Sequence, residues 1–143
     1  MVIAVIDGMG GGLGAQIITQ LAPQVGNDTE IIALGANALA TNNMVRAGAT
    51  RGATGENALR VSLRKADVIL GPIGIVIPNA MMGEITPAMA ETVASADGKK
   101  ILIPVSQSHF EIVGLESRPL VTQIREAVAR AIAMLDNGQE ART

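Results

Sequence analysis

The feature that most constrains the fold is an apolar segment at the start of the chain that runs straight into a glycine-rich turn. Residues Val2–Ile6 are all apolar, as in a strand that is covered by helices on both faces. The next eight residues, Asp7 to Gly14, include five glycines, and apolar residues then recur at helical spacing up to Leu21. A strand, a tight turn and a helix in this order are typical of a βαβ unit, which predicts a parallel sheet.

The rest of the chain alternates in the same way between short β-branched segments and helical patterns. Further strands are predicted at Glu30–Leu34, Asp67–Leu70, Lys100–Val105 and Phe110–Gly114, and helices at Ala36–Ala47, from Thr86 to Gly98 and from Pro119 onwards. The last strand should be antiparallel, because the four residues before it are too few for a parallel crossover. The segment Leu59–Arg64 is ambiguous between strand and helix, and we favour a short helix.

These patterns predict a single domain without a linker or a repeat. We expect a three-layer αβα Rossmann-like fold over residues 1–136, with a mostly parallel sheet of about five strands and room for one antiparallel edge strand. Residues 137–143 are expected to form a flexible tail, because chain ends fray unless they are tied down.

The glycine-rich turn is the strongest candidate for a ligand site. A tight turn needs positive φ, a diphosphate needs close approach to the backbone, and a helix N-terminus offers unpaired N–H groups. We therefore expect the turn to bind NAD(P) or another nucleotide. The alternative is a purely structural turn that lets the helix approach the sheet. The predicted cofactor-binding residues are Asp7, Gly8, Gly10, Gly11, Gly12, Leu13, Gly14, Gly35, Asn37, Gly71 and Pro72.

The second half of a dinucleotide-binding pattern is missing from the sequence. An acidic residue at the end of the second strand would bind the ribose 2′-hydroxyl, but that strand is followed by Gly35-Ala36-Asn37. Without a carboxylate there, NAD is not favoured over NADP or another nucleotide. Arg46 and Arg51 lie downstream and are candidates to meet a 2′-phosphate.

The two glycine turns, Gly8–Gly14 and Gly71–Gly74, resemble the NAD(P)-binding half of short-chain dehydrogenases. The resemblance implies a Rossmann-like fold and a nicotinamide dinucleotide, and it does not extend to a catalytic centre. The Tyr-x-x-x-Lys pair of that family cannot form in a chain without tyrosine. Whether the protein is an enzyme stays open, and we do not expect it to be a stand-alone short-chain dehydrogenase.

A longer resemblance covers most of the chain. The motifs that carry it are Ile3–Gly12, Ile31–Gly35, Gly52–Ala58, Ala66–Ile69, Gly71–Ile75 and Gly83–Pro87. They are similar to those of a small bacterial family that is known only as a domain of unknown function. The resemblance implies a Rossmann-like domain and does not supply an activity.

Other catalytic arrangements are weak in this sequence. The chain has no cysteine and a single histidine, His109, whose neighbours Ser106 and Ser108 lie too close in sequence to align a nucleophile with its base. A surface histidine is the favoured interpretation. Asp7 and Glu56 are candidate ligands for Mg²⁺, but an Asp in this place more often accepts N–H groups from its own turn, so we predict no metal site.

The net charge and the distribution of apolar residues exclude some classes of binding partner. The net charge is −2 and no basic stripe occurs, so we expect neither nucleic-acid binding nor docking on an anionic membrane. The longest apolar stretch, Val68 to Met82, is broken by prolines and is shorter than the roughly 20 residues of a membrane helix. The N-terminus lacks the basic region of a signal peptide, and we expect a cytoplasmic protein.

Self-association is expected from the excess of apolar residues. They make up 48% of the chain, which is more than a small α/β core usually hides. The segment Ile73–Met82 concentrates this excess in a stretch broken by glycine and proline. We therefore predict a homo-oligomer with an interface near that segment. The alternative is that the segment folds back as a short helix that caps the ligand crevice.

Overall fold

The computed structural model describes residues 1–105 and 109–142, the last four of these by their backbone alone. The strands are β1 (Val2–Asp7), β2 (Glu30–Gly35), β3 (Arg51–Thr54), β4 (Val68–Pro72) and β5 (Lys99–Ile103). The helices are α1 (Gly12–Leu21), α2 (Ala38–Arg46), α3 (Glu56–Ser62), α4 (Pro87–Ser95) and α5 (Leu120–Arg142). Short 3-10 helices cover Ala22–Gln24, Leu63–Lys65 and Ile73–Val76.

The five strands form one parallel sheet in the order β3-β2-β1-β4-β5. The chain first moves outwards from β1 to β2 and β3, and then crosses back to add β4 and β5 on the other side of β1. The strand order therefore reverses between β1 and β4. In open α/β sheets ligands bind outside the carboxyl ends of the strands at such a point.

Helices cover both faces of the sheet and produce the predicted three-layer αβα arrangement. One apolar cluster lies between the sheet and α1, α2 and α5, and the other lies between the sheet and α3 and α4. Ile3 and Val5 belong to the first cluster, whereas Ala4 and Ile6 belong to the second. The continuous apolar run of β1 is thus explained by burial on both faces, as in other parallel strands.

Most predicted elements are confirmed, and the predicted last strand is wrong. Residues 110–114 form an irregular segment in which Phe110 and Val113 are exposed, and no strand among the described residues pairs with it. The sheet instead includes a strand that the sequence patterns do not predict. This strand is β3, whose sequence Arg-Gly-Ala-Thr has no β-branched run. It forms because β2 pairs with it and because Gly52 lets α2 lie close, with a Cβ there only 2.6 Å from Val45 Cγ2.

The segment Ile73–Met82 folds back on its own domain. It starts as a 3-10 helix in which Ile75 is fully buried, and Val76, Ile77 and Met81 pack against the second apolar cluster. Met82 alone among its large side chains is fully open, with 94% of its surface exposed. The segment therefore folds back on its own domain, as in the alternative interpretation, and an interface near it stays a prediction.

The last helix, α5, begins at Leu120 beside the predicted Pro119 and presents Ile124, Val128 and Leu135 to the first apolar cluster. It runs to Arg142, past residue 136 at which the sequence analysis ends the domain. Within the described residues, no helix combines the length and the apolar character needed to span a bilayer.

Gly71 provides a test of how tightly the central strands pack. A Cβ at this position would lie 2.5 Å from the carbonyl oxygen of Ile6 and 2.9 Å from Ile75 Cδ1. We expect Gly71→Ala to lower the free energy of unfolding by roughly 1–3 kcal/mol, because the backbone of β1 cannot move away freely. Urea denaturation measures the loss. The control is Gly10→Ala, whose Cβ would have no neighbour within 4 Å, and equal effects of the two substitutions would contradict the interpretation.

Candidate functional site

The candidate site, called the crevice below, is the region at the carboxyl ends of β1 and β2, beside the point where the strand order reverses. Three segments form it: the glycine turn of residues 7–14, the start of α2 at residues 35–40, and a loop of residues 77–85. This 77–85 loop connects the 3-10 helix after β4 to α4, and it lies over the glycine turn.

Asp7 connects the end of β1 to the start of α1. Its carboxylate is buried and accepts N–H groups on both sides, with Oδ1 2.8 Å from Gly8 N and Oδ2 2.8 Å from Gly14 N. Gly14 lies in the first turn of α1, where N–H groups have no partner within the helix. The carboxylate therefore supplies an acceptor for an N–H group that α1 leaves without a helical partner, and Asp7 has the role of an acceptor within its own turn.

The glycines of the turn fall into two groups. Gly11 has a φ of 71° and a Cβ there would lie 2.7 Å from the Ala40 backbone, while a Cβ at Gly14 would lie 2.5 Å from Met44 Sδ. These two glycines are needed for the turn and for the contact with α2. Gly10 and Gly12 are exposed, and a Cβ at either would have no neighbour within 4 Å. That open side of the turn is accessible to a ligand.

Asn37 joins α2 to the glycine turn. Its Oδ1 caps α2 by accepting from Ala40 N at 2.9 Å, which directs the Nδ2 group towards the crevice. Nδ2 donates to the carbonyl oxygen of Met9 at 2.8 Å and to both carboxylate oxygens of Glu84 at 3.0 Å. The predicted site residue Asn37 thus lies in the crevice, together with the turn.

Glu84 is the crevice residue that the sequence analysis missed. Its Oε1 accepts the backbone N–H of Met9 at 2.6 Å, and a Cβ at Gly8 would collide with the same oxygen. A signal for it existed in the sequence, because Glu84 is the only charged residue between Asp67 and Glu91. An isolated carboxylate in a long apolar stretch is either exposed by a turn or held by specific donors.

The 77–85 loop is held in an unusual backbone conformation. Asn79, Met81 and Met82 have positive φ values of 64°, 57° and 58°, which costs on the order of 1–2 kcal/mol for a residue with a large side chain. Two backbone hydrogen bonds close the loop, from Asn79 N to Ile85 O at 2.7 Å and from Ile85 N to Ala80 O at 3.1 Å. The surrounding contacts therefore fix the position of Glu84.

Other predicted residues lie beside the crevice or away from it. Gly35 and Gly71 are strand residues that face close neighbours, since a Cβ at Gly35 would lie 2.6 Å from Thr41 N. Pro72 ends β4 and is buried. Arg51 forms an ion pair with Glu30 at the amino ends of β3 and β2, at the opposite end of the sheet from the crevice.

Three further sequence candidates are not brought into the crevice. Arg46 is the last residue of α2, so it lies a full helix away from the cap at Asn37. Glu56 accepts a hydrogen bond from Thr86 Oγ1 at 2.7 Å, which secures the start of α4 rather than a ligand. His109 is exposed, and its neighbours Ser106 and Ser108 lie outside the described residues.

Burial raises the pKa of Asp7 above its ordinary value of 3.8. The N–H groups of Gly14 and Gly8 act in the opposite direction, and the negative charge of Glu84 raises the pKa further. The floor of the crevice therefore combines two carboxylates with backbone and amide N–H donors.

Residues 2–136 match the family model described as domain of unknown function DUF3842. The chain belongs to the DUF3842 family. No curated protein matches it. The resemblance to a family of unknown function is confirmed, whereas the resemblance of the glycine turn to short-chain dehydrogenases stays a prediction.

The interaction between the two carboxylates of this DUF3842 protein is directly testable. In Glu84→Gln we expect the pKa of Asp7 to fall towards its ordinary value, because one of the causes that raise it is removed. Carbon NMR of the Asp7 carboxyl group during a pH titration measures the change. The exposed substitution Glu91→Gln is the control, and an unchanged pKa in Glu84→Gln would show that the two charges do not interact.

The Glu84→Gln substitution should also change how the stability of the protein depends on pH. Because the folded-state pKa of Asp7 is raised, its contribution to stability is fully present below the unfolded-state pKa and is lost as the pH rises through the folded-state pKa. In Glu84→Gln this loss should occur at lower pH than in the unmodified protein. Melting temperatures of the two proteins, recorded over a series of buffers from acidic to neutral pH, provide the comparison.

Proposed function

We propose that the crevice binds a nucleotide or dinucleotide of the NAD(P) type, and that the protein acts in the cytoplasm as a sensor or as one component of an enzyme. The observation that carries the proposal is the strand order. The glycine turn leaves β1 where the order of the parallel sheet reverses, and it opens directly into α1. This is the place and the connection that nucleotide-binding α/β sheets use.

The open side of the glycine turn supports the same proposal. The N–H groups of Gly10 and Gly12 have no partner among the described residues, and both residues are exposed. A phosphate that approaches this side would meet backbone donors at the positive end of α1. Neither position has a side chain of its own that would hinder the approach, because both are glycine.

Asp7 limits how much negative charge this site accepts. Its carboxylate already occupies the inner N–H groups of the turn, at Gly8 and Gly14. A phosphate is therefore expected to use the outer donors at Gly10 and Gly12. A diphosphate diester with one charge per phosphate suits this arrangement better than a triphosphate, since Coulomb repulsion by a buried carboxylate grows with the ligand's charge.

Gly12→Val tests the proposed binding mode. We expect titration calorimetry of the unmodified protein with NAD, NADP, ATP and coenzyme A to detect binding of at least one, and Gly12→Val to abolish it. The valine should leave the fold intact, because a Cβ at Gly12 has no neighbour within 4 Å. It would lie where the ligand has to approach the backbone.

Gln16→Val is the matched control, because it adds the same side chain one turn further along α1 at an exposed position. It should bind like the unmodified protein. If none of the four nucleotides binds, or if Gly12→Val binds as well as the unmodified chain, the proposal is wrong.

A second candidate function is homo-oligomeric assembly, and one observation favours it at a new position. Phe110, Ile112, Val113 and Leu115 are exposed, and Val113 is 100% exposed. Ile112 and Leu115 line a groove of about 880 Å³ that lies between the edge strand β5 and α5 and that also contains charged side chains such as Lys100 and Arg130. Exposed apolar side chains beside a strand edge that pairs with no further strand among the described residues are typical of a face that meets another chain.

Light scattering at micromolar concentration tests this assembly. We expect a dimer, the commonest homo-oligomer, and we expect Val113→Glu to release monomers because it places a charge on the apolar surface. Met82→Glu is the control, since Met82 is equally exposed but lies on the 77–85 loop. A monomeric mass that persists over a tenfold range of concentration would contradict the proposal.

A further inference from the structure

Glu84 brings a carboxylate to the end of β2, where the residues that directly follow the strand include no acidic one. A carboxylate at the end of the second strand is the group that binds ribose hydroxyls in dinucleotide sites, and here Asn37 occupies that place. The Asn37 amide nevertheless holds the Glu84 carboxylate at 3.0 Å. The 77–85 loop thus brings a carboxylate to the end of β2 from a part of the chain that is 47 residues away in sequence.

The carboxylate of Glu84 retains capacity for further hydrogen bonds. A carboxylate offers about four acceptor positions, and the described donors to Glu84 are the N–H of Met9 and the amide of Asn37. Among the described residues, Oε2 accepts from Asn37 alone. Glu84 is also half-buried rather than enclosed. A vicinal diol could therefore donate to it without displacing its present partners.

Among the described residues, the charged side chains that form hydrogen bonds to the glycine turn are both carboxylates, Asp7 and Glu84. The three segments that form the crevice, residues 7–14, 35–40 and 77–85, contain no lysine and no arginine. The two arginines that could have met a 2′-phosphate lie elsewhere, since Arg51 is paired with Glu30 at the amino end of the sheet and Arg46 ends α2. A phosphate on the ribose would face Glu84 and Asp7 without a compensating cation.

We infer that Glu84 determines the ligand class of the crevice, by accepting the hydroxyl groups of an unmodified ribose and rejecting a ribose that carries a 2′- or 3′-phosphate. The inference rests on the proposed nucleotide binding and makes it more specific. NAD fits this rule, whereas NADP and coenzyme A do not, because each carries an additional phosphate on its ribose.

Titration calorimetry with NAD and NADP tests the inference on the full chain. We expect the unmodified protein to bind NAD at least tenfold more tightly than NADP, because a hydrogen bond to a charged acceptor is worth about tenfold or more in affinity. Glu84→Gln should weaken NAD binding by about tenfold and should bring the ratio of the two affinities close to one, since it removes the charge and keeps the size. Glu91→Gln, an exposed change on α4, is the matched control and should leave the ratio unchanged.

Circular dichroism establishes whether the Glu84→Gln variant is folded. If it is not, the affinities of the Glu84→Asp variant for NAD and NADP are measured instead. Asp keeps the charge but withdraws it by one methylene, so NADP should still be rejected while NAD binds more weakly. Equal affinity of the unmodified protein for NAD and NADP would overturn the inference and leave the proposed function standing. An unchanged affinity ratio in Glu84→Gln would overturn it as well. If no nucleotide binds at all, the proposed function itself fails.

Discussion

The arrangement of the crevice depends on one interaction, the capping of α1 by the carboxylate of Asp7. It ties the last residue of β1 to the first turn of the following helix through Gly8 and Gly14. Hydrogen bonds to a charged group contribute roughly 1.5–3 kcal/mol each, which offsets only part of the cost of burying a carboxylate without a cation, because the pKa of Asp7 is still raised. The path of the glycine turn, and with it the exposure of Gly10 and Gly12, follows from this connection.

The second constraint is the 77–85 loop, which brings Glu84 over the same turn. Its positive φ values at Met81 and Met82 are unfavourable for the isolated segment. Buried contacts of Ile85, together with the hydrogen bonds of Glu84 to Met9 and Asn37, hold it in place. The crevice is therefore assembled from a strand end, a helix cap and a loop that is stable only in this context.

Local patterns in the sequence predict the sheet centre and the helix starts well. The apolar run of β1 and the cap of α4, where Thr86 Oγ1 accepts from Met89 N at 3.1 Å, are recognisable from neighbouring residues alone. In contrast, β3 is held by pairing with β2 rather than by its own composition, and Phe110–Gly114 has strand-like composition but pairs with no strand in the described part of the chain. Strand formation at a sheet edge depends on what lies beside the segment, which its own residues do not specify.

The residues of the candidate site also fall into those that local sequence patterns predict and those that only the tertiary structure brings together. The sequence alone predicts the glycine turn, Asp7 and Asn37 as candidate site residues, because positive φ, a helix start and a strand end are local properties. Only the tertiary structure decides the positions of two other residues. Glu84 supplies a carboxylate at the end of β2, and Arg51 lies at the other end of the sheet. The physical reason is that these contacts join segments distant in sequence, and their geometry is set by how the sheet and its connections pack rather than by any neighbouring residue.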